Sequence, residues 1–163
     1  MGNGKTRRAV LAVLVVAVVA VAAVLLLRGG GDQGSRSWLR ASTSLTPGVA
    51  NPGVTQATIR QTICKRGWTR TIRPPVSYTN ALKRKQLAEW QLPGTLRDYQ
   101  EDHLISLELG GHPTDPRNLW PEPHPHAEQV DKLENALNRQ VCVGTLTLRA
   151  AQVEEARVKH TSG

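Results

Sequence analysis

The sequence predicts an α+β fold: a small, mostly helical domain with one two-stranded hairpin, preceded by one transmembrane helix. Three observations carry this. Residues 9–27 are an unbroken run of Ala, Val and Leu. Two short stretches suited to strands, Tyr99–Asp102 and Asn118–Trp120, flank a loop punctuated by Gly110, Gly111, Pro113 and Pro116. Apolar residues recur at helical spacing on either side of that pair, at Leu82, Leu87 and Trp90 before it and at Ala127, Val130, Leu133, Leu137 and Val141 after it.

The first element is Ala9–Leu27, which meets the roughly 20 residues needed to cross a bilayer. Lys5, Arg7 and Arg8 precede it, so residues 1–8 are expected in the cytoplasm and the rest of the chain outside. No small-x-small sequence lies between Leu27 and the glycines that follow, which favours an uncleaved signal anchor in the cell membrane over secretion after signal cleavage. Residues 28–53 are rich in Gly, Ser, Thr and Pro and read as a flexible linker. The folded domain is expected over residues 54–163.

Within it, Thr55 is placed to cap a short helix over Gln56–Ile63, with Ile59 and Ile63 on one face. Ser77 is a cap candidate for a helix over Asn80–Trp90, whose Lys83, Arg84 and Lys85 lie opposite the apolar face. After the central pair, a helix beginning near His126 ends at Gly144, a residue suited to a left-handed cap. Thr147 then caps a last helix from Leu148 to about Lys159.

The formal charge is +8, unevenly spread. From Arg36 to Arg97 there are eleven Lys/Arg and one acid, Glu89, whereas from Asp98 onward eleven acids face six basic residues. A basic half leading into an acidic, histidine-rich half suits phosphate binding beside a metal site. The chain has two cysteines, which excludes a four-cysteine zinc site by number and leaves one disulfide between Cys64 and Cys142.

The stretch Tyr99–Asp131 concentrates the chemistry: Asp102-His103, Leu104, Ile105, Leu107, Gly110-Gly111, Asn118-Leu119, Pro121, then a helix. In residue types and spacing it resembles the ββα-metal (HNH) endonuclease motif. A wider pattern over Val54–Gln152 resembles a group of small bacterial membrane-anchored or exported proteins linked to nucleases through that same core.

The resemblance implies an HNH-like ββα core using one divalent ion, Mg, Mn or Zn. It implies that His103 is the general base, that Asn118 orients it, and that Asp102 is a metal ligand, with His126 as the helical ligand and His124, Glu128 and Asp131 as competitors. Neighbours on a regular strand face opposite sides, so Asp102 and His103 share a site only where the strand bends or ends. Arg73, Lys83, Arg84, Lys85 and Arg117 are candidates for gripping phosphates, a contact that confers affinity without sequence preference. The expected activity is metal-dependent hydrolysis of nucleic acid outside the cytoplasm, on DNA before RNA, with no small-molecule cofactor. The competing expectation is a non-catalytic cell-envelope binding module on a degenerate scaffold.

Overall fold

The computed structural model describes residues 39–161. In chain order these hold α1 (Trp68–Ile72), α2 (Val76–Glu89), β1 (Tyr99–His103), β2 (Leu119–Pro123), α3 (His124–Val143) and α4 (Leu148–Thr161). The fold class is corrected accordingly. It is α+β, with four helices and a two-stranded sheet among the described residues, and no helix there is long and apolar enough to cross a membrane. The span expected over residues 9–27 lies outside the described residues, as does the start of the linker.

β1 and β2 pair antiparallel, with Tyr99 opposite Pro123, Asp102 opposite Trp120 and His103 opposite Leu119. Alternation along the strands puts Tyr99, Glu101 and His103 on one face and Gln100 and Asp102 on the other. Helix α2 packs against both strands, and its Gln86 and Lys83 donate to the backbone oxygens of Leu119 and Tyr99. The opposite face, with Trp120 and Glu122, meets α3 and α4 through His126 and Lys159.

The helix ends follow from the residues there. Gly144 sits in the left-handed region at φ 84°, where its backbone N–H closes the last turn of α3. Thr147 accepts from Ala150 N at 3.2 Å and opens α4. Residues 56–64 form successive turns and no regular helix. Thr58 and Thr62 spend their hydroxyls on the backbone oxygens of Gly53, Thr55 and Thr58, a local competition that disfavours helix. Ile59 and Ile63 are nonetheless buried as expected, in a core shared with Ile105, Leu109, Leu137, Val141 and Leu148. Cys64 packs against that core and is disulfide-bonded to Cys142, with Cα atoms 5.5 Å apart.

Residues 39–53, expected within the tether, lie against the domain. Gly48 N donates to Arg117 O, His112 N to Val49 O and Asn51 N to Gly110 O, and Ala50 bridges Gly111. The strap therefore fastens onto the loop 104–118 that joins the two strands.

Candidate active site

The loop 104–118 is shaped by one fully buried side chain. Asn118 Oδ1 accepts from Ile105 N at 3.0 Å and Val49 N at 3.2 Å, while Nδ2 donates to the Ile105 and His112 oxygens at 3.0 Å each. All four hydrogen bonds go to backbone, so every amide capacity of this residue is met. Gly111 lets the turn close: an added Cβ would lie 1.7 Å from Ile105 O and 2.8 Å from Asn118 Nδ2.

His103 ends β1, buried, and its Nε2 lies 3.0 Å from Pro113 O. A carbonyl only accepts, so Nε2 carries the proton and Nδ1 keeps its lone pair. No bond to Nδ1 occurs among the described residues. Burial lowers the affinity of this ring for a second proton, more than neighbouring Asp102 raises it, and the imidazole is neutral near pH 7. Asn118, expected to orient His103, makes no hydrogen bond to the ring. It holds His112 O, one residue before the Pro113 carbonyl that does the orienting.

Asp102 and His103 point to opposite faces, yet the strand stops at His103 and both line one pocket of about 240 Å³. Arg73, Ser106, Leu107, Glu108, Asp131, Glu134 and Asn135 complete its wall. Of the helical candidates, Asp131 reaches this pocket. His126 does not line it: Nδ1 lies 2.8 Å from Glu122 Oε1, and the ring packs edge-on against Trp120. His124 is exposed at the start of α3, and the side chain of Glu128 lies outside the described part.

Beneath the pocket sits a group that the motif does not predict. Lys159, with a fully buried side chain, donates to Asp102 Oδ2 at 2.8 Å, Glu134 Oε1 at 2.7 Å and the His103 carbonyl, with Glu155 Oε1 at 3.5 Å. Glu155 in turn accepts from Ser106 N at 3.0 Å. Burial alone would strip the ammonium of its proton, but Asp102, Glu155, Glu134 and Glu122 carry its pKa well above the ordinary lysine value. Burial also pushes the Asp102 carboxyl up, and Lys159 outweighs it, leaving Asp102 an anion with a lowered pKa. Glu122 moves the other way, up to about 9, through burial and then the charge of Asp102. Glu122 Oε2 has no hydrogen-bond partner, whereas the facing carboxyls of Glu122 and Asp102 can share a hydrogen bond when Glu122 keeps its proton.

The implied metal is tested by these donors. Among the described residues, no three His, Cys, Asp or Glu side chains converge closely enough to hold an ion. Two pocket carboxyl groups, Asp102 and Glu134, do converge, since both bond one nitrogen; burial pushes Glu134 up to about 9, so an ion held there displaces its proton. Two hard oxygen donors with room for water fit a Mg- or Mn-like ion, which completes its shell with water and substrate phosphate.

The basic candidates divide. Arg73 is exposed on the pocket rim, and Arg84 and Lys85 are exposed on α2. Arg117 is exposed but forked onto Asp115 at 3.0 and 2.7 Å. Lys83 is a correction: it is only 9% exposed, and Nζ bonds Tyr99 O at 2.7 Å, so it packs the sheet and presents no charge to a ligand.

No family model, curated protein or solved structure matches the chain. The likeness to the HNH motif therefore rests on the chain's own residues.

Proposed function

We propose that this domain is a metal-dependent endonuclease that hydrolyses phosphodiester bonds of nucleic acid with little sequence preference, in an exported, oxidising setting. The observation that carries the reading is His103: a neutral imidazole, its Nε2–H committed to Pro113 O, in a pocket that also holds Asp102 and Glu134. A general base needs its free nitrogen, its neutral form and a fixed orientation, and this ring has all three. His103 Nδ1 takes the proton of the attacking water. Arg73, on the same rim, binds the phosphate, and Arg84 and Lys85 extend that contact along the backbone of the nucleic acid.

Asp102 and Glu134 would hold the divalent ion, which supplies a Lewis acid for the charge that develops on the phosphate. Asn118 acts at one remove, pinning the loop whose Pro113 carbonyl sets the tautomer of His103. The oxidising setting is supported by the Cys64–Cys142 disulfide, a bond that persists in exported proteins.

One observation favours a second reading. Lys159 already occupies Asp102 and Glu134 with its ammonium, as a scaffold that binds an anionic polymer without cutting it would need. Supercoiled-plasmid nicking separates the two. Nicking with Mg²⁺ or Mn²⁺ that stops on chelation, and falls at least about 100-fold in His103→Ala, is expected for the nuclease. Tight, chelator-insensitive DNA binding with no nicking would establish the binding module.

A further inference from the structure

Lys159 is a fully buried charge that the proposed chemistry does not use. It stands near the end of α4, and the buried side of that helix, Leu148, Ala151, Gln152, Glu155 and Lys159, points inward along its whole length. Its first three positions pack or hydrogen-bond as a helix face should, with Gln152 donating to Leu109 O at 2.9 Å. The last two bring a carboxylate and an ammonium under the pocket. The ammonium spends its hydrogen bonds on Asp102, Glu134 and the His103 carbonyl. All three belong to the pocket: two carboxylates facing it and the backbone of its histidine. No other cation approaches these carboxylates within ion-pair distance among the described residues.

We propose that Lys159 is a positioning residue that acts as a built-in cation: its ammonium holds Asp102 and Glu134 together and sets how tightly the pocket binds a divalent ion. This rests on the reading of Asp102 and Glu134 as the ion-binding pair. A unit positive charge bonded to both carboxylates repels an incoming divalent ion while it keeps the two groups converged in its absence. Affinity is thereby held down and geometry held ready. Four carboxyl groups, Asp102, Glu122, Glu134 and Glu155, crowd around this one ammonium, and its charge is what keeps Asp102 an anion among them. Removing the ammonium takes from Asp102 and Glu134 the cation they share, and a divalent ion is the cation that can replace it.

The test is Mn²⁺ binding to the full chain, read by electron paramagnetic resonance and calorimetry, for the parent and Lys159→Met. Methionine keeps the length and apolar stem and deletes the charge. The variant is expected to bind Mn²⁺ at least tenfold more tightly than the parent, and Mn²⁺ to raise its melting temperature by more than the parent's. Unchanged or weaker binding would overturn the proposal, because a lysine that only props up the fold gives one or the other. Should Lys159→Met fold only when Mn²⁺ is supplied, that is the strong form of the expected result. Failure to fold with Mn²⁺ present overturns it. A second variant, Lys159→Met with Asp102→Asn, restores the charge balance and is expected to fold and to lose the tight binding; if it keeps that binding, Asp102 is not part of the pair and the proposal fails. The nuclease reading stands or falls separately, since absence of plasmid nicking by the parent leaves the Mn²⁺ comparison intact.

Discussion

Opening the Cys64–Cys142 disulfide tests how far this domain depends on an oxidising compartment. The bond closes a loop spanning 78 residues of sequence, and on loop entropy it stabilises the fold by about 4.5 kcal/mol. A domain of this size holds about 5–15 kcal/mol in total, so the bond supplies between about a third and nearly all of it. Two comparisons separate the cross-link from the sulfur atoms. The reduced parent against the oxidised parent changes only the bond. Cys64→Ala with Cys142→Ala also removes two sulfurs, of which Cys64 packs against Ile59, Ile63 and their neighbours in the core. Urea unfolding followed by tryptophan fluorescence is expected to show a loss of about 3–5 kcal/mol on reduction, with a steeper denaturant slope because the uncrosslinked chain exposes more surface. The alanine pair is expected to fall a little further. A loss below about 1 kcal/mol, at unchanged slope, would refute the reasoning: the unfolded chain would then not be the state the bond constrains. A loss as predicted means that the bond carries a large part of the stability of this domain.

Two further outcomes are expected. Gly111→Ala forces a Cβ to within 1.7 Å of Ile105 O and 2.8 Å of Asn118 Nδ2, so the loop must open; a loss of about 3 kcal/mol or more is expected, and an alanine tolerated within about 0.5 kcal/mol would show the turn is looser than described. Glu101, with neither carboxyl oxygen hydrogen-bonded, has its pKa pushed by burial from 4.5 to about 9, so the native state keeps a proton that the unfolded state gives up and stability falls as pH rises between those values. Glu101→Gln does not titrate, and its advantage over the parent is expected to grow by about 3 kcal/mol from pH 4.5 to pH 7; a difference that does not change with pH in urea titrations would contradict this.

What the sequence makes legible here is whatever has a local cause. Helix α3 follows from a long apolar period closed by Gly144, α4 from its cap at Thr147, and the disulfide from a count of two. The strand pair follows from Asp102-His103, the glycine turn and Asn118, and β1 ends where two adjacent side chains need it to end. Residues 39–53 read as a tether because Gly, Pro and Ser carry no helical or strand signal. Their order comes instead from hydrogen bonds to Gly110, His112, Arg117 and Asn118, far along the chain. Lys83 reads as an open charge because it stands in the run Lys83-Arg84-Lys85, taken as the face opposite the apolar one; the carbonyl of Tyr99, supplied by another element, turns it inward.

The site itself shows where local reading stops and why. Asp102 and Asn118 both declare themselves in sequence, but the motif assigns each a partner that differs from the one it has: Asn118 holds backbone and Asp102 holds Lys159. Lys159 nonetheless leaves a signal. The stripe Leu148, Ala151, Gln152, Glu155, Lys159 keeps one helical face, and its final members are charged. A face that is buried through Leu148, Ala151 and Gln152 does not swing into solvent for its last turns, so those charges go inside. An ammonium goes inside only where carboxylates and carbonyls receive it. Glu155, one turn earlier, is too little for three N–H donors, so at least one further anion has to come from elsewhere in the chain. Asp102, 57 residues away, and Glu134, 25 away, are what the fold brings. The stripe thus announces a buried ionic cluster, and only the packing of α4 beneath the end of β1 says that the cluster is the floor of the candidate site.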